Sequence, residues 1–350
     1  MSEALAGRIA RFLAGRLPEA EAVRVEALEA HTEGFSQETF SFAAEVVRGG
    51  RLERRAFVLK REPVAGLLEP YDLEPEFRVL HALSDDPLPS PPTPWFEREP
   101  AALDRPFYVM ERLPGEVPIP APGARGEGPF DPVERAALAP QVAAALAQLH
   151  AIDWKARGLG FLSDAAPPDV PPARREVERW AERIARSGIA ADPVVVEALE
   201  WLRAAASPCE EVVLLHGDFR LGNWLVERAG PATRLTGILD WEMVHLGDPH
   251  EDLAWCVSHL WRAGTPRAAS LVPPDELVGL YARAADRSVD PARLRFYEVL
   301  AVVKMAAIML TGIRAFREAR TADLRMAIFD HQLPFLHALL AGLRGWLPLP

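Results

Sequence analysis

The sequence predicts an α+β chain of two lobes, a small antiparallel β-sheet lobe followed by a larger, mainly helical one. Three observations carry this. Aromatic and β-branched residues gather in short runs over the first hundred positions, and later stretches take up helical spacing. The composition changes at a Pro/Gly-rich stretch, which places the boundary near residues 112–115. A length of 350 residues also exceeds what one core comfortably serves.

The opening stretch "MSEALAGRIARFLAGRLP" puts Leu5, Ile9, Phe12 and Leu13 on one face, the pattern of an amphipathic helix with no secretory h-region. "ETFSFAAEVV", the turn "RGGR" and "RAFVLKR" read as an antiparallel hairpin, Thr39–Val47 against Arg54–Arg61. "EPEFRVLHAL" spaces Phe77, Leu80 and Leu83 for a helix. The proline-rich "SDDPLPSPPTPWFEREP" excludes a helix or a central strand. "PFYVMERL" is a short strand, and "PGEVPIPAPGARGEGPFDP" is irregular. Residues 1–112 and 113–350 are the expected lobes.

Asp131-Pro132 supplies an N-cap with proline at N1, and Val142, Leu146 and Leu149 stripe the helix that runs to His150. Val177, Trp180 and Ile184 mark the next helix, and Asp192-Pro193 opens a third. Three strands then interrupt the helices: Glu211–Leu215, Asn223–Val226 and Leu235–Asp240. Asp248 is read as the N-cap of a further helix, with Glu251 and Asp252 in its first turn. Asp252 there either serves the helix dipole or ties down a loop. Long helices follow, Pro291–Phe316 and roughly Ala322–Leu343.

A net charge of -11 and a pI near 5.4 argue against nucleic acid or an anionic membrane as the main partner. Two cysteines, Cys209 and Cys256, make neither a disulfide framework nor a metal knuckle and suit a reducing, cytoplasmic setting. No uninterrupted run of about 18 apolar residues is present, and the longest candidate, "VLAVVKMAAIML", is broken by Lys304. Basic residues are 36 Arg against 3 Lys, so a lysine kept in this chain points to a use for a compact charge.

The chemistry concentrates in "LLHGDFRLGN" and "GILDWEMVHLGDPHEDLAW". Asp218 follows one apolar strand and Asp240 ends another. Two carboxylates drawn out of water repel one another, and each loses hydration. A divalent cation answers both costs. Mg²⁺ prefers oxygen ligands, and Asn223 adds a neutral one. The strand–turn–strand order returns Asp240 beside Asn223 and leaves Asp218 to orient a hydroxyl, the division of labour in phosphoryl transfer. Trp241 and Trp255 read as packing, and His150 as an interior or cap histidine.

"HGDFRLGN" followed by "ILDWE" resembles the aminoglycoside phosphotransferase/choline kinase-like family, relatives of protein kinases. With "PFYVMERLPG" the likeness is nearest the branch related to the phosphotransferase domain of certain acyl-CoA dehydrogenases. The resemblance implies a two-lobed protein-kinase-like fold whose first lobe is a nucleotide-covering sheet with one helix. It implies ATP, or GTP, with Mg²⁺ as cofactors, and Asp218 as the catalytic aspartate. Asn223 and Asp240 fall on the Mg²⁺ positions and His216 on the loop-organising histidine. Lys60 falls on the lysine of the α- and β-phosphates, Glu76 on its helix partner, and Met110, Glu111 and Arg112 on the hinge that meets adenine. "TEGFSQET", with Gly34 and Ser36, falls on the phosphate-covering turn.

Two departures stand out. Gly217 and "DWE" replace the protein-kinase arginine and "DFG". Glu33 precedes Gly34 where the family turn usually has two glycines. The expected activity is phosphoryl transfer from ATP to a small-molecule hydroxyl, on a hydroxyacyl or other metabolite or an aminoglycoside-like amine, by a monomer or homodimer. Two alternatives are a non-catalytic nucleotide-binding relative and a metal-dependent phosphohydrolase built on His216, Asp218, Asp240 and His245.

Overall fold

The computed structural model describes residues 2–31, 38–119, 128–163, 170–262 and 264–349. The chain divides into two compact units, residues 1–86 with 90–113, and residues 87–89 with 114–350.

The first unit contains α1 (Ser2–Arg16), β1 (Ala22–His31), β2 (Glu38–Arg48), β3 (Arg51–Arg61), α2 (Glu74–Ala82), β4 (Trp95–Glu97) and β5 (Phe107–Glu111). Its strands form one antiparallel sheet in the order β1-β2-β3-β5-β4. The β2–β3 hairpin turns tightly at Gly49 and Gly50, with Arg48 opposite Arg51. Both glycines have positive φ, as a two-residue turn matched to strand twist requires. Helix α1 buries Ile9 and Leu13 in a core with Phe42, Phe57, Leu59 and Phe107, so among the described residues the unit carries the two helices that residue spacing predicts, where the resemblance implied one. Strand β1 has no counterpart in the sequence reading. Its alternation breaks at a bulge between Glu26 and Glu29, where Ala27 has a φ of 48°, and an edge strand leaves much of its length exposed. The proline-rich loop does hold a strand, β4, at the other edge, where missing N–H donors are tolerated.

The second unit contains α3 (Pro132–His150), α4 (Pro172–Arg186), α5 (Pro193–Ala205), β6 (Val213–Leu215), β7 (Trp224–Glu227), β8 (Arg234–Ile238), β9 (His245–Gly247), α6 (His250–Val257), α7 (Pro274–Ala284), α8 (Pro291–Arg317) and α9 (Leu324–Leu343). Helix α3 opens with a capping box between Asp131 and Glu134. Helix α8 is long and apolar enough to cross a membrane by length and composition, but 83% of its apolar window is buried inside the unit. Strand β6 pairs with β9, and β7 with β8.

Several expected boundaries shift by one to three residues, and two of them bear on the site. Strand β8 stops at Ile238, and Asp240 lies two residues beyond it at a φ of 69°. Helix α6 is capped by Pro249, not Asp248. Asp248 instead accepts the backbone N–H of His250 at 3.0 Å and pairs with Arg293 at 2.7 Å, tying the start of α6 to α8.

Candidate active site

In the first unit, Lys60 on β3 reaches Glu76 on α2. The ammonium donates to Glu76 Oε1 at 3.1 Å, and the two residues are 7% and 2% exposed. A pair this buried is not a solvated surface contact. Met110 and Glu111 close β5, and Arg112 follows. The N–H of Glu111 donates to Pro92 O at 2.8 Å and that of Arg112 to Ala56 O at 3.0 Å. A purine meeting this segment would not find those two donors. Gly34, Ser36 and Glu33 lie outside the described residues.

In the second unit, β6 delivers His216, Gly217 and Asp218. Gly217 has a φ of 80°, and a Cβ there would lie 2.2 Å from Met243 O, so no other residue fits. Asp252, fully buried on the first turn of α6, accepts the N–H groups of His216 at 2.7 Å and Gly217 at 2.8 Å. It also accepts from the Nε2 of His150 at 3.4 Å, whose Nδ1 meets the hydroxyl of Tyr281 at 2.7 Å. Burial pushes the Asp252 carboxyl up, but the hydrogen bond and charge of His150, together with His216, outweigh it and hold it at about 2. Of the two roles open to Asp252, the geometry selects the loop tie.

His216 organises the loop as a neutral ring. Burial lowers its basicity more than the surrounding aspartates raise it. Its Nδ1 accepts the N–H of Asp218 at 3.1 Å, and its Nε2 donates to Leu239 O at 3.0 Å. Leu239 N in turn donates to Asn223 O at 2.7 Å. The loop carrying Asp218, the turn carrying Asn223 and the segment carrying Asp240 are thereby bound into one frame. Trp224 pairs with Ile238, so the hairpin sets Asn223 and Asp240 at one end of the β7–β8 ribbon.

The Asp218 carboxylate is held from three sides. Asn223 Nδ2 donates to its Oδ2 at 2.7 Å and to its backbone oxygen at 2.9 Å. Both amide hydrogens are thus engaged, which leaves Asn223 Oδ1 as the side chain's accepting atom. Trp255 Nε1 donates to Oδ1 at 2.6 Å, and Arg220 Nε lies 3.0 and 3.2 Å from the two oxygens. The Arg220 guanidinium also stacks over Trp261 at 4.6 Å. Two oxygen donors of this kind, one amide and one carboxylate from Asp240, suit Mg²⁺ chemically.

Sequence reasoning took Trp255 for packing and passed over Arg220 and Lys304. The available signal for Lys304 was the one applied to Lys60, a rare lysine in an arginine-rich chain. Sequence reasoning also offered His216 and His245 as ligands of a metal hydrolase. Both ring nitrogens of His216 are committed, as described. His245 belongs elsewhere, with its Nδ1 on Met243 O at 2.8 Å and its Nε2 beside Glu251 at 3.3 Å and Glu176 at 3.9 Å. Burial pushes His245 down, but the carboxylates of Glu176 and Glu251 together raise it to about 8. Glu176, His245 and Glu251 could gather on a cation. However, Arg179 lies 3.3 Å from Glu176 and Lys304 lies 3.6 Å from Glu251, so the charge is already countered.

A family model described as "Phosphotransferase enzyme family" matches residues 27–297. Acyl-CoA dehydrogenase family member 10 of Mus musculus is 29% identical over 220 residues, 62% of this chain and 20% of that protein. Acyl-CoA dehydrogenase family member 11 of Rattus norvegicus is 28% identical over 270 residues, 73% of this chain and 33% of that protein. The chain therefore spans a third or less of the length of these relatives. Among solved structures, a protein from Ralstonia eutropha provisionally assigned as an aminoglycoside phosphotransferase is 22% identical, with a TM-score of 0.68 and coverage of 93% of this chain and 95% of that one. Aminoglycoside phosphotransferase APH(4)-Ia, solved with ADP and hygromycin B, is 19% identical, with a TM-score of 0.55 and coverage of 93% and 98%. At these identities the structural likeness establishes a shared fold, that of the two-lobed kinase-like phosphotransferases.

Proposed function

The chain belongs to the phosphotransferase enzyme family, which makes it a small-molecule kinase in class, and from that premise we propose that it transfers the γ-phosphoryl group of ATP to a hydroxyl of a small molecule with Mg²⁺. GTP is the second donor to be tested. The observation that carries the reading is the state of Asp218, a buried carboxylate held by Asn223 and Trp255 on a loop that Asp252 and His216 lock in place. Such fixing is what a reaction dependent on positioning requires.

Asp218 is assigned to face the acceptor hydroxyl. Lys60, paired with Glu76, is assigned to the α- and β-phosphates, and Gly34 and Ser36 to their backbone cradle. The stretch Met110 to Arg112 is assigned to the base. Asn223 and Asp240 would hold Mg²⁺, which when bound neutralises phosphate charge. We favour a hydroxyacyl or other metabolite hydroxyl as acceptor. The likeness to acyl-CoA dehydrogenase family members supports that over an aminoglycoside-like amine. A cytoplasmic setting is part of the same proposal and rests on two free thiols, Cys209 and Cys256.

A non-catalytic reading draws on one observation, that Arg220 occupies both oxygens of Asp218. At 27% exposure that side chain is the member of the set best placed to withdraw. The test is a screen of hydroxyl compounds for ADP release from Mg·ATP, with Asp218→Asn as the blank. Turnover that vanishes in the blank, and weakens in Lys60→Ala, supports the kinase. Nucleotide binding with no turnover on any acceptor supports the non-catalytic reading. Phosphoester hydrolysis without nucleotide, indifferent to Lys60→Ala, would overturn both.

A further inference from the structure

We propose that Lys304, in the middle of α8, is a positioning residue for Asp218, gripping the loop that presents it. The inference takes the role of Asp218 from the phosphotransfer reading and takes its geometry from the second unit alone.

Lys304 is almost fully buried in a helix whose neighbouring positions, Val302, Val303, Ala306 and Ala307, are also buried. An ammonium there costs far more than the leucine or methionine that the site would otherwise accept. Its contacts show a directed use. Nζ donates to Gly217 O at 2.5 Å. It lies 4.4 Å from the ring centre of Trp255 and 5.5 Å from that of Trp180, inside the range of cation–π attraction. Glu251 stands 3.6 Å away and supplies the countercharge.

The lysine therefore touches two of the supports of Asp218. One is the peptide immediately before it. The other is the indole that donates to its Oδ1. Gly217 is held on its N–H side by Asp252 of α6 and on its carbonyl side by Lys304 of α8. Charge balance alone does not account for this. An arginine, the habitual cation of this chain, would neutralise Glu251 equally well. A compact ammonium can approach one carbonyl closely while lying against two indole faces.

The test is spectroscopic and needs no substrate. In protein labelled with ¹⁵N-tryptophan, the Trp255 indole N–H is assigned by its loss in Trp255→Phe. It is expected at the downfield edge, as an N–H bonded to a carboxylate. The variant is Lys304→Met with Glu251→Gln, which removes the buried pair together and so limits the loss of stability. The Trp255 resonance is expected to move upfield while resonances of distant indoles stay. With an acceptor from the screen, kcat is expected to fall roughly 10²-fold at unchanged KM for ATP, the cost of misplacing a reacting group by about 1 Å. Should the double variant not fold, Lys304→Arg keeps the charge beside Glu251. Its longer planar head is expected to displace the same resonance. An unmoved Trp255 resonance in whichever variant folds overturns the proposal. Absence of turnover in the wild-type protein would remove the phosphotransfer reading and leave the resonance result standing, so the two failures are distinguishable.

Discussion

Asp252→Asn is the sharpest probe of the loop frame. The carboxylate accepts two backbone N–H groups, at 2.7 and 2.8 Å, and the imidazole Nε2 of His150. Asparagine has the same shape but one accepting oxygen, so its NH₂ must face at least one buried donor. Hydrogen bonds to a charged group contribute about 1.5–3 kcal/mol each, and an orphaned buried donor costs about 1–3 kcal/mol. Loss of one bond and weakening of the others comes to roughly 3 kcal/mol, or a fall in Tm of about 6–12 °C for a unit of this size. The pH dependence supplies a second reading. The Asp252 carboxyl is held at about 2, below its ordinary 3.8. A depressed carboxylate stabilises the fold above its unfolded pKa, and that contribution is lost as pH falls through the folded value. The wild-type advantage over the Asn variant should therefore shrink by about 2 kcal/mol between pH 5 and pH 2. The assay is urea unfolding across that range, with a thermal melt at pH 7. A variant melting within about 2 °C of wild type, or keeping the same acid slope, would refute the claim that this carboxylate holds the loop.

Other outcomes follow from neighbouring geometry. Gly217→Ala combines a left-handed backbone with a Cβ placed 2.2 Å from Met243 O. It should lose more than about 3 kcal/mol in urea unfolding, against well under 1 kcal/mol for an alanine at unstrained Gly7. His245, raised from 6.5 to about 8, contributes stability that is present in full below pH 6.5 and lost as pH rises through 8, about 2 kcal/mol in all. Comparison of wild type with His245→Gln at pH 6 and pH 9 should show the difference collapsing at the higher pH. Glu76→Ala removes the 3.1 Å hydrogen bond that the buried Lys60 ammonium donates and should destabilise the first unit by about 1.5–3 kcal/mol, read by calorimetry as an earlier transition.

Much of this protein was legible along the chain because its signals are local. The β2–β3 hairpin announces itself through alternating residues around "RGGR". The Asp131 cap needs only its own first turn. Asp218 and Asp240 stand out because acids placed at the ends of apolar runs are costly unless something uses them, and Asn223 stands out by its spacing from Asp218. What sequence could not decide were contacts between elements distant along the chain. Lys304 lies 87 residues from Gly217, and Trp255 lies 37 residues from Asp218. Nothing in local spacing says that a lysine in a core helix will point at one particular carbonyl, or that an indole will donate rather than merely fill space. The choice between helix-dipole and loop-tie roles for Asp252 is likewise decided only by the hydrogen bonds it accepts from His216 and Gly217, 36 and 35 residues away. Periodicity and turn chemistry determine which elements form. Which polar atoms meet inside them is set by packing, where a buried donor is stable only against the acceptor that the whole fold brings to it.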